Sequence, residues 1–429
     1  MTAARGMPPR TTRLGAGVLL GGILVSALAA GATLLSVALG GQWPVAVGTA
    51  IVTAAAIPVL VTALRQRRAP DRRARYRRAL ATSAVALLAC LTWIWPHSAT
   101  VTPPIVPGAT VITSTGGTRL TLHVTRAPSA TEPPLVVVHG GPAVADLSHD
   151  VAALARLAIH RDVYVYDQLG AGSSSRLDDP LGYTDRRALQ DLERVIAATG
   201  ARKVTLLGHS WGARLVTKYA VAHPDRLSAV VLSAPAAPAG PTASPQSIGD
   251  PAGRLDGPQR LRLYSYLIRP RNRFTYGLSS VDLRVAHAAA GDREMDARFS
   301  AIYRRTTPGL FCDPNLADRL GVTGVGYYAH QALAADTSPL SDGTAPPRIS
   351  VPVLIIKPAC DYLPWSAVTA NARLAPQAQV VVLPDAGHQA YIEKPDAYGE
   401  LVAAFLARQP LPFPVVDSAE PPPSYRGVR

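Results

Sequence analysis

Three side chains that together could activate a hydroxyl group for nucleophilic attack occur in this chain: Ser210, Asp361 and His388. Ser210 is the centre of the pentapeptide GHSWG at 208–212, which fits the pattern G-x-S-x-G. A serine hydroxyl is a weak nucleophile at its ordinary pKa, so it needs a base to accept its proton and an acid to orient that base. With 34 glycines in the chain, such a pentapeptide can also arise by chance, and its meaning depends on the elements around it.

The sequence on either side of the pentapeptide favours a catalytic role. An apolar run at 203–207 (KVTLL) precedes it and helix-forming residues follow it. This is the strand, turn and helix order of a nucleophile elbow, in which glycines permit the sharp turn that exposes the hydroxyl. We therefore predict that Ser210 is the nucleophile.

The base and the acid are expected on loops that follow late strands. Of the ten histidines, His388 is the one that lies directly between the last predicted strand and the last predicted helix. Asp361 follows the preceding strand, in VLIIKPACDYLPW. Asp385 is the alternative acid, but it lies on the same loop as His388, where reaching the far imidazole nitrogen is awkward. The sequence favours Asp361.

An oxyanion in the transition state needs two backbone N–H donors that are already in place. One follows from the elbow and is the N–H of Trp211. The other is expected from HGGP at 139–142, with Gly141 as the candidate. The paired glycines suit a close approach of backbone to substrate.

Short apolar runs alternate with helical stretches along most of the chain, which predicts a parallel α/β sheet covered on both faces. Strands are predicted at 109–127 (a hairpin), 134–141, 162–167, 203–208, 228–235, 352–357 and 379–387. Helices are predicted at 147–159, 184–198, 211–223, 365–374 and 391–407.

One long interval breaks this alternation. Between 236 and 347 the chain opens rich in proline and continues as amphipathic, arginine-rich sequence, which predicts a helical cap. The catalytic core is then formed by 109–235 and 348–408. A Pro- and Thr-rich linker is predicted at 97–108, and a disordered, Pro-rich tail at 409–429.

The charge distribution argues against a nucleic-acid partner. The formal net charge is +14, but +10 of it lies in the first 95 residues, beside long uncharged apolar runs. Basicity confined to such a segment is typical of a membrane topology signal rather than of a nucleic-acid surface.

Those apolar runs predict a membrane domain at 1–96. The uncharged runs at 14–40 and 43–64 exceed the roughly 20 residues that a helix needs to cross a bilayer, and a third, at 79–95, ends in two tryptophans. The intervening segment 65–78 carries eight arginines and one aspartate. The positive-inside rule then predicts a multi-pass cell-membrane protein with a cytoplasmic N-terminus and an extracytoplasmic catalytic domain.

Cysteine usage leaves one question open. Of three cysteines, Cys90 lies in the third predicted span, whereas Cys312 and Cys360 would lie in the oxidising outer compartment. Their spacing permits a disulfide but does not establish one. No Gly-rich phosphate loop and no Cys/His metal spacing is found, so neither a cofactor nor a metal is predicted.

Three motifs together resemble the proline iminopeptidase group of α/β-hydrolases. They are VVVHGGP at 136–142, VYVYDQLGAGSS at 163–174 and LLGHSWG at 206–212. The resemblance covers about 109–408, and the chain order serine, aspartate, histidine is that of α/β-hydrolases. Two positions depart from the group, since Ala143 and His209 stand where glycine is usual.

The resemblance implies an α/β-hydrolase fold with a helical cap and an acyl-enzyme formed on Ser210. It also implies removal of N-terminal residues from small peptides, with acidic cap residues holding the substrate amine. Candidates for that role are Asp292, Glu294, Asp296 and Asp313, none of which can be assigned from sequence. The substrate-binding residues are therefore left unknown.

Two alternative functions remain open from the sequence. One is an esterase or amidase acting on small hydrophobic acyl compounds, so that the substrate would be an ester instead of a peptide. The other is a non-catalytic binding protein, against which the complete Ser210, Asp361 and His388 set argues. Epoxide hydrolases and haloalkane dehalogenases share the fold but carry aspartate at the elbow, where this chain has serine.

Overall fold

An eight-stranded, mostly parallel sheet is the centre of the fold. The computed structural model describes residues 101–238, 250–321, 323–340 and 347–428, with five single residues between 77 and 88. The strands are β1 (Thr110–Thr113), β2 (Arg119–Thr125), β3 (Leu135–Val138), β4 (Val144–Ala145), β5 (Val163–Tyr166), β6 (Val204–His209), β7 (Leu227–Ser233), β8 (Gly324–Val325), β9 (Val353–Pro358) and β10 (Gln379–Leu383). The large sheet has the order β1-β2-β5-β3-β6-β7-β9-β10.

The direction of the strands in the large sheet agrees with their burial. β1 and β2 are antiparallel to their neighbours, whereas every pair from β5 to β10 within the large sheet is parallel. All residues of β3, β5, β6 and β9 are buried, as expected for strands covered by helices on both faces. The predicted mostly parallel α/β sheet is confirmed.

Helices connect the parallel strands and cover the sheet. They are α1 (Leu147–Leu154), α2 (Asp185–Ala198), α3 (Trp211–Ala222), α4 (Gly257–Leu267), α5 (Pro270–Val281), α6 (Leu283–Ala289), α7 (Asp292–Thr306), α8 (Tyr327–Ala335), α9 (Ser366–Leu374), α10 (Ala390–Glu393) and α11 (Pro395–Leu406). α2 begins at a capping residue, Thr184, whose hydroxyl accepts a hydrogen bond from the Arg187 N–H. α3 begins directly after Ser210.

The described chain divides into two compact units. One contains the described residues of 265–291, and the other contains those of 99–264 and 292–429. In the first unit, α5 and α6 meet at Asp282, whose carboxylate caps α6 by accepting from the N–H groups of Arg284 and Val285. The second unit contains both sheets and every candidate catalytic residue.

The C-terminal segment, where the sequence predicts disorder at 409–429, makes specific contacts over its described part. The Arg426 N–H donates to Ala359 O at 2.8 Å. The Tyr425 hydroxyl donates to Leu363 O at 3.1 Å, and its ring packs edge-on against Trp365. These contacts hold the segment against the loop that follows β9, which carries Asp361.

The membrane part of the predicted fold class is wrong. Among the described residues no helix is both long and apolar enough to cross a bilayer. A span needs about 20 apolar residues, whereas α7 has 15 residues, of which four are arginines and three are acids. We therefore correct the fold class to the α/β-hydrolase fold alone, because the described residues support neither three transmembrane helices nor the multi-pass, extracytoplasmic location. The spans predicted at 14–40, 43–64 and 79–95 lie outside the described residues apart from the single ones noted above.

The Tyr425 contacts predict that the C-terminal segment contributes to stability. Tyr425 is 2% exposed, so replacing it with alanine leaves a cavity, and we expect Tyr425→Ala to lower the free energy of unfolding by about 3 kcal/mol. Tyr425→Phe keeps the ring and loses only the hydroxyl, so we expect a loss of about 1 kcal/mol. Urea unfolding of the three proteins measures both values. Equal stability of Tyr425→Ala and the unmodified protein would contradict the packing described here.

Candidate active site

The turn between β6 and α3 holds Ser210 in an unusual backbone conformation. Its φ is 56° and its ψ is −121°, a region that non-glycine residues seldom occupy. The flanking glycines make the turn possible, since a Cβ on Gly212 would lie 2.1 Å from Val138 O and one on Gly208 would lie 2.6 Å from the Ala213 Cα. The Ser210 N–H donates to Ser233 O at 2.9 Å. The local sequence therefore fixes Ser210 at the carboxyl end of β6.

The loops after β9 and β10 bring Asp361 and His388 together. His388 Nδ1 lies 2.8 Å from Asp361 Oδ1, and both side chains are buried. Because an ionised carboxylate can only accept, Nδ1 carries the proton and Nε2 is left as the basic nitrogen. Ser210 and His388 line the same cavity. The alternative acid, Asp385, is exposed and pairs with Arg426.

A buried lysine that the sequence did not predict balances the negative charge of Asp361. Lys357, at the end of β9, donates from Nζ to Asp361 Oδ2 at 2.7 Å and to Leu363 O at 2.7 Å. Burial by itself would raise the pKa of Asp361, but the charges of Lys357 and His388 outweigh it and hold that pKa well below its usual range. Asp361 therefore stays ionised. The signal available in the sequence was a lysine in the otherwise apolar run VLIIK.

The loop that carries His388 is fixed by a second unpredicted residue, Glu393. Its carboxylate accepts hydrogen bonds from the N–H groups of Gly387, Cys312 and Asp313, at 2.6, 3.1 and 2.8 Å. The His388 N–H donates to the chain just before them, at Leu310 O. His388 is thus held in place through the segment 310–313.

The segment 310–313 is also joined to the loop that carries Asp361. A disulfide links Cys312 and Cys360 in the structure, and Cys360 is the residue before Asp361. The sequence had left this pairing open. Together with Glu393, the disulfide connects the loops that carry Asp361 and His388 to one short stretch of chain. Cys90 lies outside the described residues.

The candidate oxyanion loop lies against the elbow. A Cβ on Gly140 would lie 2.8 Å from the Ser210 Cβ, and Gly141 has a φ of +121°, so glycine is required at both positions. The backbone N–H groups of Gly141 and Trp211 donate no hydrogen bond within the described part of the chain. Trp211 is also the first residue of α3, where the helix dipole favours negative charge. Both groups can therefore donate to an oxyanion.

Gln168, from the DQLG motif, holds the HGGP loop in place by hydrogen bonds. Its side chain donates from Nε2 to His139 O at 2.7 Å and accepts at Oε1 from the Ala143 N–H at 3.2 Å. Its own N–H donates to His139 Nε2 at 3.1 Å. Burial lowers the pKa of His139 to about 4, so this ring is neutral and can accept. The motifs HGGP and DQLG, which are distant in sequence, therefore form one hydrogen-bonded unit.

A cavity of about 300 Å³ opens at Ser210 and His388. Its lining includes Phe299 and Tyr303 from α7, and Tyr362 from the loop after β9. The sequence offered four acids as candidates for holding a substrate amine, and none of them is among the described residues that line this cavity. The four are Asp292, Glu294, Asp296 and Asp313. Asp296, for example, pairs with Arg176 at 3.0 Å.

Comparison with known proteins agrees with the observed fold. Residues 133–395 match a family model described as the alpha/beta hydrolase fold. A proline iminopeptidase of Heyndrickxia coagulans is 35% identical over 102 residues, which is 24% of this chain and 35% of that protein. Epoxide hydrolase A of Mycobacterium tuberculosis is 36% identical over 129 residues, which is 30% of this chain and 39% of that protein. The chain thus spans little more than a third of the length of these curated relatives.

A solved structure extends the likeness over the whole core. Cfl2 of Burkholderia cenocepacia matches 72% of this chain and 100% of its own, with a TM-score of 0.51 and 16% identity, which is a likeness of fold. The family resemblance predicted from HGGP, DQLG and GHSWG is confirmed by these comparisons.

The buried ion pair predicts a strong effect of removing its cation. Lys357→Met leaves Asp361 buried without its main partner, so we expect the free energy of unfolding to fall by about 3–5 kcal/mol. Lys203→Met, at a half-buried position beside β6, serves as the matched control and should change stability little. Thermal or urea unfolding measures both. An unchanged midpoint for Lys357→Met would show that the pair does not stabilise the acid.

Proposed function

This chain belongs to the alpha/beta hydrolase family, and on that premise we propose that it is a serine aminopeptidase acting through an acyl-enzyme on Ser210. The observation that carries the proposal is the hydrogen bond of 2.8 Å between His388 Nδ1 and Asp361, beside a serine on a nucleophile elbow. That the chain is a hydrolase follows from its family and relatives. The serine mechanism and the peptide substrate are the proposal.

In the first step the Ser210 Oγ attacks the carbonyl carbon of the substrate while His388 Nε2 accepts the hydroxyl proton. The carbonyl oxygen becomes an oxyanion, and the N–H groups of Gly141 and Trp211 stabilise its charge. Asp361 stabilises the imidazolium that His388 has become. Because Lys357 keeps Asp361 ionised, this stabilisation is available throughout the neutral pH range.

In the second step the tetrahedral intermediate collapses. The bond from the carbonyl carbon to the leaving nitrogen breaks, and His388 gives its proton to the departing amine. The acyl group stays on Ser210 as an ester. A water molecule then attacks that ester while His388 accepts a proton from the water. The acyl group leaves as a carboxylic acid, and His388 returns the proton to the Ser210 oxygen.

A peptide substrate is supported by the proline iminopeptidase relatives, although each local alignment covers only about a third of the relative. The second candidate is an esterase for small hydrophobic acyl groups. It is favoured by the apolar part of the cavity lining, which includes Phe299, Ile302 and Leu320. An epoxide hydrolase is less well supported, since Ser210 stands where those enzymes carry aspartate.

The proposed mechanism predicts complete dependence on Ser210. We expect Ser210→Ala to abolish both turnover and covalent labelling by a fluorophosphonate probe, because no other group can form the acyl-enzyme. Ser173→Ala, at an exposed serine, is the matched control and should be labelled as the unmodified protein is. Labelling is measured by intact mass. A labelled Ser210→Ala protein would refute the nucleophile.

The two candidate substrates can be separated with a matched panel. It compares an aminoacyl amide with a free amine, its N-acetylated form, and a simple ester of the same acyl group. An aminopeptidase is expected to hydrolyse the free amine with the highest kcat/KM. Equal values for free and acetylated amides, with a higher value for the ester, would favour the esterase.

A further inference from the structure

A histidine from a distant helix contacts the HGGP loop beside its candidate oxyanion donor. His330, in α8, donates from Nδ1 to Pro142 O at 2.8 Å, although the two residues are 188 positions apart in the chain. Pro142 directly follows Gly141, whose N–H is the candidate donor. His330 also lines the cavity that contains Ser210 and His388. No step of the proposed mechanism uses this histidine.

The protonation of His330 follows from this contact. A carbonyl oxygen can only accept a hydrogen bond, so Nδ1 carries a proton. Burial lowers the pKa of the ring, which therefore stays neutral near pH 7 and has no proton on Nε2. A neutral ring whose single N–H group is used by Pro142 cannot donate to an oxyanion itself. Any effect of His330 on the oxyanion therefore passes through the backbone that it holds.

The hydrogen bond from His330 completes a set that fixes one peptide unit. The carbonyl group of the unit 142–143 accepts from His330, and its N–H group, on Ala143, donates to Gln168 Oε1 at 3.2 Å. The Gly326 N–H, one residue before α8, donates to Ala143 O at 2.8 Å. Strand β8 continues the contact by pairing with β4. The chain that follows the candidate donor is thus held from both α8 and the DQLG motif.

The local conformation of the HGGP loop is not one that its backbone favours by itself. Gly141 has a φ of +121° and Ala143 has a φ of 52°, both in the region that side chains seldom adopt. Glycine tolerates such a φ, whereas alanine adopts it at a cost in free energy. The loop conformation therefore depends on hydrogen bonds from other parts of the chain, and His330 supplies one of them.

The ring of His330 is itself held in place by α7. Phe299 packs against it with ring centroids 4.6 Å apart. The Tyr327 N–H, at the start of α8, donates to Asp296 Oδ1 on α7 at 2.7 Å. Because α7 fixes both the ring and the start of the helix that carries it, the Nδ1 donor is preorganised for Pro142 O.

We propose that His330 is a positioning residue of the serine reaction, which holds the Gly141 N–H where it can donate to the oxyanion. The proposal rests on the proposed serine mechanism at Ser210 and is independent of whether the substrate is a peptide or an ester. An oxyanion donor acts fully only if it is already in place when the charge develops. Loss of the His330 donor should therefore weaken binding of the transition state more than binding of the substrate.

The test uses two substitutions of nearly the same shape. His330→Asn keeps an N–H donor near the place of Nδ1, whereas His330→Leu replaces that donor with a methyl group. The matched control is His160→Leu, at an exposed histidine. Each protein is assayed for kcat/KM with p-nitrophenyl acetate, an activated ester, and for the Ki of an alkyl trifluoromethyl ketone. Addition of Ser210 to that ketone places an oxyanion in the site.

We expect kcat/KM of His330→Leu to fall roughly 30-fold, because a displacement of about 1 Å can cost about 100-fold in rate. The Ki of the ketone should rise by the same factor, and His330→Asn should restore most of both values. His160→Leu should match the unmodified chain. A merely structural histidine would instead lower the unfolding midpoint of both His330 variants without this difference between them.

The outcomes separate this proposal from the serine mechanism. If Ser210→Ala abolishes activity while His330→Leu keeps it, or if His330→Leu and His330→Asn lose activity equally, only the role of His330 is refuted. If Ser210→Ala keeps its activity and its labelling by fluorophosphonate, both are refuted. Should His330→Leu fail to fold, ¹⁵N NMR of the unmodified chain labelled at histidine decides, with His330→Asn used to assign the signal. A His330 ring with its proton on Nε2 instead of Nδ1 overturns the proposal.

Discussion

A carboxylate with no exposure to water, Asp361, is the group on which the rest of the site depends. Its charge is tolerated in the interior because Lys357 and His388 each take one of its oxygens. Those three residues lie on β9 and on the loops after β9 and β10, so the ion network also fixes two neighbouring strand ends. The disulfide, Glu393 and the C-terminal segment all converge on the same loops.

The wall of the cavity is formed by different kinds of side chain from α1 and α7, in a way that the sequence did not suggest. The acidic residues of α7 are used locally, as when Asp296 pairs with Arg176, and the helix offers the cavity its aromatic side chains instead. Two acidic residues of the lining, Asp146 and Asp150, come from the start of α1. The described cavity wall is thus acidic beside α1 and aromatic beside α7.

Much of the fold could be predicted from sequence because it depends on local patterns. The buried strands, the glycines around Ser210 and the order of Ser210, Asp361 and His388 are all readable from neighbouring residues. Lys357, Glu393 and Gln168 were not, since their roles arise from contacts across 4 to 81 positions of chain. The membrane helices were predicted from run length and missing charge alone, and the described residues contain no helix that is long and apolar enough to cross a bilayer.

Ser210 also has a thermodynamic consequence. Its φ of 56° with a ψ of −121° is a conformation that glycine adopts freely and that disfavours a side chain by about 1–3 kcal/mol. A chain selected for stability alone would replace this serine with glycine and lose its hydroxyl. Serine at this position is an instance of the trade-off between stability and activity, because a locally unfavourable residue supplies the hydroxyl that the proposed chemistry needs.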